Sequence, residues 1–399
     1  MKNKSSSFLL IGGVFFLLIY FSYKAITSVP FEFDSIIYHI PLAKSILNGQ
    51  IFHPDKLYFP NSAFPAASEL ILALMILLHI PLNLFNIIAW VILGFLLYFL
   101  GKRFGLKSNS YIFSFSIITL PTVIRLLLCQ TTDIWLAVFF VYLIYLFQKP
   151  EKKIFYFFRL GISSGFLIGS KFSGPLFLLA LLLIYGKKLL HYISIKRIIF
   201  YTIPFTLFGL SWYIRNFLIF SNPFYPTPFL GLKGVPAFFS HMLPSHLNMI
   251  MTVNNGLLFT VNALISEYLF WPFLFIFGIC FMCKSTNTII ISESSLKLFV
   301  LGTIGICIYL AIPGYPYNYN NYVSEIRYSI PVVISFLLLF FIQMQKLKIS
   351  TYLFIFIFLN FLALITLFFY GAYHPKIIVI MGVLIFFIMS IPYLKRALQ

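Results

Sequence analysis

Residues 84–101 read LFNIIAWVILGFLLYFLG, a run without a charged side chain that is followed directly by Lys102 and Arg103. At 1.5 Å per residue in a helix, such a run covers about 27 Å, close to the ~30 Å hydrocarbon core of a bilayer. Basic residues directly after an apolar run are typical of the cytoplasmic end of a transmembrane helix. The stretch therefore predicts a membrane-spanning helix with Lys102 and Arg103 on the cytoplasmic side.

The composition of the whole chain is also typical of a membrane protein. Of its 399 residues 61% are apolar and only 9% are charged, whereas soluble domains average about 25% charged residues. A globule of this length cannot bury so much apolar surface, because its interior is too small relative to its surface. The formal net charge is +19, but scattered basic residues in so apolar a chain orient it in a bilayer, so no nucleic-acid partner is expected.

Apolar runs of similar length recur along the chain and predict an all-α polytopic membrane protein with about 12 transmembrane helices. They lie near 8–27, 84–101, 109–128, 134–148, 154–170, 173–186, 198–217, 267–283, 297–313, 329–343, 351–370 and 376–393. A further run at 65–81 contains Glu69 and is bounded by prolines, so we expect a re-entrant or juxtamembrane helix there. No internal repeat divides the chain, and residues 1–399 are predicted to form a single domain.

The distribution of basic residues selects between topologies. With a cytoplasmic N-terminus and residues 65–81 not spanning, 19 of the 28 basic residues lie on the cytoplasmic side. If 65–81 spans instead, only 8 do, which the positive-inside rule rejects. An outside N-terminus with 65–81 spanning gives 20 and stays open, although the basic start of the chain favours the first arrangement. In that arrangement both termini are cytoplasmic, and two long loops, about 28–83 and 218–266, face the non-cytoplasmic side.

Isolated ionisable residues collect at this predicted outer face. Charged side chains at membrane depth are costly and usually face a cavity or a partner. The residues are Arg125, Asp133, Lys171, Arg215, Glu325 and Arg327. For any one of them, an interfacial anchor that snorkels to the surface is an alternative interpretation. Four cations at one face together favour binding of an anionic head group, and Arg suits phosphate oxygens in particular.

Asp34 follows the first predicted span by only a few residues, which places it at the membrane surface. Residues 35–48 predict a short amphipathic helix, with Gly49 just past its end. An ionised carboxylate is favoured near a helix N-terminus. The alternative is that Asp34 is an N-cap and nothing more.

Four short motifs occur in order along residues 1 to about 345. They are EFDS at 32–35 with YHIP at 38–41, GSK at 169–171, WYIRN at 212–216 followed by NPFYP at 222–226, and RYSIP at 327–331. In order and sidedness they resemble motifs of the GT-C superfamily of polytopic glycosyltransferases, particularly the branch of protein O-mannosyltransferases and lipid A aminoarabinose transferases. Many members of that family carry two adjacent acids where this chain has Asp34 and Ser35, and Glu32 is the candidate for the second acid.

The resemblance implies a GT-C-like helix bundle with two long outer loops. It implies an inverting transfer of a sugar from a polyprenyl-phosphate donor to a glycan, lipid or protein acceptor at the non-cytoplasmic face. The expected location is the prokaryotic inner (plasma) membrane, and the lipid bilayer is the expected surrounding. No cofactor is expected, and no metal is implied.

The chemistry of such a transfer gives the expected role of each residue. An attacking hydroxyl needs a carboxylate that takes its proton, and Asp34 is the expected general base. The phosphate leaving group needs preplaced cations. The expected cations are Lys171, Arg215, Arg327 and Arg125. The residues expected to contact donor or acceptor are Glu32, Tyr38, His39, Asp133, Glu69, Asn216 and Tyr328. For Asp133 and Glu69, an ion pair with Arg125 is the alternative.

Two other functions stay open. An O-antigen polymerase or ligase would depend on Arg and His in the outer loop, with no requirement for an acid after the first span. A lipid-linked-glycan transporter or flippase would commonly show inverted repeats and helices broken near the midplane, and the sequence shows neither. Gly161, Gly165 and Gly169 recur every four residues and predict a helix-packing face.

Overall fold

The computed structural model describes residues 2–53, 61–228, 230–234, 245–276, 292–313, 319–346, 353–369 and 375–398. Within these ranges the regular structure is helical throughout, as predicted. The helices are α1 Lys2–Thr27, α2 Ile40–Leu47, α3 Ala67–Leu77, α4 Phe85–Arg103, α5 Ser110–Ile118, α6 Pro121–Arg125, α7 Asp133–Gln148, α8 Ile154–Ser170, α9 Gly174–Tyr185, α10 Lys187–Leu190, α11 Ile195–Phe205, α12 Ser211–Phe220, α13 His246–Thr252, α14 Gly256–Tyr268, α15 Glu293–Ala311, α16 Tyr319–Glu325, α17 Ile330–Lys346, α18 Phe354–Phe369 and α19 Pro375–Leu398. Single π-helical turns, Ser35–His39 and Thr206–Leu210, lead into α2 and join α11 to α12.

Among the described helices, five segments are long and apolar enough to cross a membrane. They are Leu10–Thr27, Leu82–Arg103, Ile195–Phe220, Glu293–Ala311 and Tyr322–Gln345. Several further helices are equally apolar but shorter, among them α7, α8 and α9. By length and composition these helices indicate a membrane protein, while the bundle of about 12 spanning helices stays a prediction.

Proline explains one difference between predicted and observed helices. The predicted span 109–128 is broken, because α5 ends at Ile118 and α6 begins at Pro121. Leu120 has an extended backbone with ψ 138°, as expected for a residue whose helical conformation is disfavoured by a following proline. The predicted span 267–283 lies outside the described residues beyond position 276.

The ambiguous run at 65–81 forms α3, a helix of 11 residues. Such a helix is about 16 Å long, roughly half the thickness of the hydrocarbon core, as expected for a re-entrant or juxtamembrane segment. It packs against α2 and α8. Its Glu69 is buried, so α3 turns an acidic side chain into the protein.

The glycine-rich face of α8 packs against α11 and the π turn that follows it, which confirms the packing prediction. A Cβ on Gly161 would overlap the carbonyl oxygen of Tyr201, and one on Gly169 would overlap that of Phe208. The close approach needs bare backbone, because any side chain there would push the helices apart. It fixes the C-terminal end of α8, directly before Lys171.

The polar centre of the molecule lies where several helix ends meet. The N-terminus of α7, the C-terminus of α8, the π turn before α2 and the 3₁₀ turn Ile326–Ser329 before α17 converge there. Around them lies a continuous core of buried apolar side chains. Helix ends suit a charged site, because charged side chains there can reach the site without being buried between two packed helices.

Candidate functional site

Four ionised side chains from distant parts of the sequence form a continuous series of alternating charge. Arg327 donates from Nη2 to Oδ2 of Asp34 at 2.6 Å, and its Nε lies 3.3 Å from Oδ2 of Asp133. Lys171 donates from Nζ to Oδ1 of Asp133 at 2.5 Å. We call Asp34, Arg327, Asp133 and Lys171 the ion cluster. It unites one predicted base, two predicted phosphate ligands and one predicted substrate contact.

Local backbone structure positions each member of the cluster. Asp133 is the first residue of α7, where the helix dipole favours a carboxylate. Lys171 has an extended backbone between α8 and α9. Arg327 lies in the 3₁₀ turn, which Tyr268 fixes through its hydroxyl, 2.9 Å from the carbonyl oxygen of Ile326. All four lie at helix ends or in turns and are far apart in the sequence, so spacing alone could not bring them together.

Exposure increases toward the two ends of the cluster. The Asp133 side chain is only 3% exposed and that of Arg327 12%, whereas those of Lys171 and Asp34 are 22% and 30% exposed. A ligand can therefore reach Asp34 and Lys171 from outside and Arg327 to a smaller extent, while Asp133 is enclosed by the protein. Charges in such a partly dry site interact more strongly than they would in water.

Aromatic rings cover one side of the cluster. The Lys171 ammonium lies 3.5 Å from the centre of the Tyr328 ring, a cation–π contact that leaves its other hydrogens free for oxygen ligands. Tyr38 lies near Asp34, Tyr328 and Arg327. Burial and the negative charge of Asp34 raise the pKa of Tyr38, so its phenol stays protonated at neutral pH and can donate a hydrogen bond.

His39 and Glu69 form a second, buried pair beside the cluster, with Nδ1 and Oε1 2.6 Å apart. Among the described residues, Oε2 of Glu69 has no hydrogen-bond partner. The carboxylate therefore keeps one oxygen for a further donor. The alternative pairing of Asp133 or Glu69 with Arg125 is not formed, because Nε of Arg125 lies 3.1 Å from Glu267 on α14.

Glu32, and not Asp34, caps the first outer helix. Its Oε2 accepts from the backbone N–H of Ser35 at 2.8 Å and from the Ser35 hydroxyl at 2.7 Å. The Ser35 oxygen in turn accepts from the backbone N–H of Gln130 at 2.8 Å. Asp34 makes no capping hydrogen bond, so its carboxylate is committed to Arg327. The N-cap interpretation of Asp34 is therefore wrong.

Arg215 and Asn216 lie in a different setting. Arg215 donates from Nη2 to Oδ1 of Asn216 at 2.7 Å and to the carbonyl oxygen of Ser62 at 3.3 Å. Asn216 donates to the carbonyl oxygens of Ala63 at 2.8 Å and Tyr225 at 3.2 Å. The two side chains thus attach both outer loops to α12, and no acidic partner of Arg215 occurs in the described parts of the chain.

His246 and Glu325 are functional candidates that sequence reasoning passed over or left without a role. His246 is buried, its Nδ1 is 3.4 Å from Oε2 of Glu325, and its ring lies beside those of Tyr309 and Tyr328. Burial, helped by the charge of Lys171, lowers the pKa of His246 to about 4, so it is neutral at pH 7. Its Nε2 has no hydrogen-bond partner among the described residues. The sequence signal was only its position in the second outer loop.

Metal binding has no obvious place in this arrangement. The described residues contain no group of three or more His, Cys, Asp and Glu side chains that could hold a metal ion. The acids near the cluster are each matched by a cation, a histidine or a backbone N–H.

Comparisons with known proteins return no match: no family model, no curated protein and no solved structure is significantly similar to this chain. The likeness to GT-C enzymes therefore rests on the four motifs and on what the side chains around them can do.

Proposed function

We propose that the chain is an integral membrane glycosyltransferase that moves a sugar from a polyprenyl-phosphate donor to a hydroxyl acceptor at the non-cytoplasmic face. The observation that supports it is the ion cluster. A base candidate, Asp34, and two phosphate-binding candidates, Arg327 and Lys171, come from segments up to 293 residues apart and share one partly accessible site.

The proposed reaction divides the work between the two ends of the cluster. Asp34 takes the proton of the acceptor hydroxyl as its oxygen attacks the anomeric carbon of the sugar. The bond from that carbon to the phosphate oxygen breaks on the opposite face, with inversion. Lys171 and Arg327 stabilise the negative charge that grows on the departing lipid phosphate. Both cations already face oxygen anions, so their N–H groups are oriented for phosphate oxygens, which share the two cations with Asp34 and Asp133.

The buried acids fit the sugar itself. A glycosyl group in transfer carries oxocarbenium-like positive charge, which nearby carboxylates stabilise. Asp133 and the unpartnered oxygen of Glu69 are placed for this role, and Tyr38 and Tyr328 offer phenol groups to sugar hydroxyls. Arg215 and Asn216 hold the loops in this proposal and leave phosphate binding to the ion cluster. Arg125, paired with Glu267, is also left out of it.

A second candidate is an enzyme of the O-antigen polymerase or ligase type, and one specific observation favours it. His246 presents a neutral ring beside Glu325, with Nδ1 toward the carboxylate and Nε2 free of partners among the described residues. A histidine oriented by a carboxylate in this way is a general base in many enzymes. In this candidate the acceptor proton goes to His246, and Asp34 only orients Arg327.

The two candidates are separated by substituting each base. The full chain is reconstituted in liposomes and supplied with polyprenyl-phosphate-linked hexoses and pentoses, with a membrane glycolipid and glycan extract as acceptor. Transfer of radiolabelled sugar is measured for the wild type, Asp34→Asn and His246→Gln. Glu293→Gln serves as the control, since Glu293 is an exposed acid that pairs with Lys297 on the same helix.

If Asp34 is the base, Asp34→Asn lowers transfer by a factor of about 10²–10⁴, while His246→Gln and Glu293→Gln retain it. Loss in His246→Gln with retention in Asp34→Asn would instead select the polymerase or ligase candidate. Absence of transfer from every phosphate-linked donor, with transfer from diphosphate-linked donors, would also overturn the first candidate.

A further inference from the structure

A groove of about 540 Å³ opens on the surface of the bundle, far along α8 from the ion cluster. Its walls come from the N-terminal half of α8, the C-terminal end of α9, the short helix α10 and the start of α11. The lining is almost entirely apolar, with Leu160, Leu183, Leu190 and Ile198 among its side chains. Its volume lies in the range of pockets that hold small molecules.

The groove opens toward the surroundings of the protein. Leu183, Leu190 and Ile193 all line it, and they are 72%, 64% and 50% exposed. In a membrane protein such side chains face lipid, since water would make this exposure costly. The predicted topology places this end of α8 and α9 at the cytoplasmic leaflet. An acyl chain is therefore the apolar group at hand to fill the groove.

Positive charge lines one end of the groove. Lys187 is itself a lining residue. The guanidinium carbon of Arg197 lies 5.9 Å from the ring centre of Phe157, another lining residue. Lys188 and Lys196 follow on the same exposed connection.

Negative charge is missing from this part of the chain. The sequence contains no Asp or Glu from residue 152 to residue 266. Glu293 on α15 interacts with Lys188 and is already paired with Lys297. A surplus of cations beside an apolar groove is complementary to a molecule with a negative head and an apolar tail.

We propose that this groove is a binding site for an anionic phospholipid of the cytoplasmic leaflet, with one acyl chain in the groove and the phosphate beside Lys187 and Arg197. The site is separate from the ion cluster and does not depend on the proposed transferase activity. A zwitterionic lipid has the same tail but carries a compensating positive charge, so it forfeits the gain from the basic rim. The site therefore selects lipids by head-group charge.

Native mass spectrometry of the detergent-solubilised full chain tests the proposal. Phosphatidylglycerol and phosphatidylcholine with identical acyl chains are titrated, and the dissociation constant of the first bound lipid is measured. Lys187→Gln/Arg197→Gln removes the proposed head-group contacts. Lys102→Gln/Lys107→Gln removes two exposed charges of the same predicted face, away from the groove, and is the matched control.

We expect phosphatidylglycerol to bind about tenfold or more tightly than phosphatidylcholine. The Lys187/Arg197 double variant weakens phosphatidylglycerol binding by about 25-fold, from roughly a factor of five per basic residue, and the control double variant changes it less than about twofold. Leu183→Trp fills the groove and weakens both lipids, whereas Leu179→Trp, exposed on α9 outside the groove, weakens neither. Because Leu183 is exposed, we expect Leu183→Trp to fold. This variant therefore tests the groove even if the Lys187→Gln/Arg197→Gln variant does not fold.

Three results would overturn the proposal. Equal affinity for the two lipids would show that head-group charge is not recognised. An equal loss in the control double variant would show that only the overall charge of the face matters. Displacement of the lipid by inorganic phosphate, with Leu183→Trp binding normally, would show an anion site without an acyl-chain groove.

Discussion

Two arginines of the predicted outer face, Arg327 and Arg215, have different partners. Arg327 bonds the carboxylate of Asp34 and lies against that of Asp133. Arg215 bonds a carbonyl oxygen and the amide oxygen of Asn216 and lies over the ring of Trp212. The residue type is the same, but one guanidinium faces anions and the other faces neutral dipoles.

The nature of the partners determines what each arginine can do. The N–H groups of Arg327 already face carboxylate oxygens, so an anionic ligand can share or take over these contacts. Arg215 uses Nη2 to hold the carbonyl oxygens of Ser62 and Phe64, while its buried Nη1 has no hydrogen-bond partner among the described residues. Buried charged hydrogen bonds to backbone carbonyls typically stabilise a fold. Under the proposed function, Arg215 holds the outer loops and Arg327 is the cation that contacts the phosphate.

The largest expected effect follows removal of Arg327. Arg327→Ala takes away a phosphate ligand and leaves Asp34 and Asp133 without their shared cation, so we expect transfer to fall by a factor of about 10³ or more. Arg327→Lys retains the positive charge but not a guanidinium that faces Asp34 and Asp133 at once. We expect its transfer to be about tenfold or more higher than that of Arg327→Ala. Transfer per folded molecule in liposomes measures both. Equal activity of Arg327→Ala and the wild type would remove the ion cluster from the mechanism.

The second expected effect concerns stability. Arg215→Ala leaves carbonyl and amide oxygens without donors, so the free energy of unfolding falls by about 3–4 kcal/mol. Transfer per folded molecule stays within about threefold of the wild type. Thermal unfolding in detergent, combined with the liposome assay, measures the two quantities separately. Lys44→Ala is the control, because Lys44 is an exposed residue of α2 and its removal is expected to change the free energy of unfolding by less than about 0.5 kcal/mol. Full stability with lost donor binding would return Arg215 to the phosphate site.

The contrast also shows what the sequence could and could not predict. The all-helical structure of the described residues and the packing face of Gly161 and Gly169 follow from composition and local spacing, and the structure confirms them. Five described segments that are long and apolar enough to cross a membrane indicate the predicted membrane character. The meeting of Asp34 with Arg327 was foreseen only through the order of short motifs. The role of Arg215 was not visible, because its partners are backbone carbonyls 151–153 residues away. Every residue carries a backbone carbonyl, so residue type does not reveal partners of this kind.

Glu32 and His246 show two further limits of prediction from the sequence. Glu32 accepts from the N–H three residues later, as an N-cap side chain usually does, but glutamate is not among the residues preferred at that position, so the sequence did not reveal the cap. His246 lies in a proline-rich loop without a regular pattern and draws its properties from burial. A buried histidine and an exposed one look identical in a sequence. Pro121, in contrast, is visible in the sequence as a helix breaker, and the predicted span 109–128 nevertheless runs through it.

The third expected effect is a pH dependence of stability due to His246. Its pKa is about 4 in the folded protein and ordinarily about 6.5 in an unfolded chain. Between these pH values the unfolded chain binds more protons at His246 than the folded protein does. The contribution of His246 to the free energy of unfolding is therefore complete above about pH 6.5 and is lost as the pH falls toward 4. The loss amounts to at most about 3 kcal/mol.

Thermal unfolding between pH 4 and 8 measures this slope, and His246→Gln should flatten it. The groups that face the ring are Glu325, Lys171, Tyr309 and Tyr328. If the protein becomes more stable on acidification and His246→Gln removes that gain, a charged pair of His246 with Glu325 outweighs the cost of burial. The neutral histidine required by the second candidate function would then be excluded at acidic pH.

The smallest expected effect separates a cap from a second catalytic acid. Glu32→Gln retains an oxygen that accepts from Ser35, so stability changes by less than about 1 kcal/mol and transfer by less than about threefold. Ser35→Ala removes the hydroxyl that links Glu32 to Gln130 and costs about 1 kcal/mol. Because Asp34→Asn is an equally small chemical change two residues away, the pair forms a matched test of charge alone. A loss in Glu32→Gln as large as that in Asp34→Asn would mean that Glu32 supplies the second acid of the family pattern, and that its capping bonds give way when substrate binds.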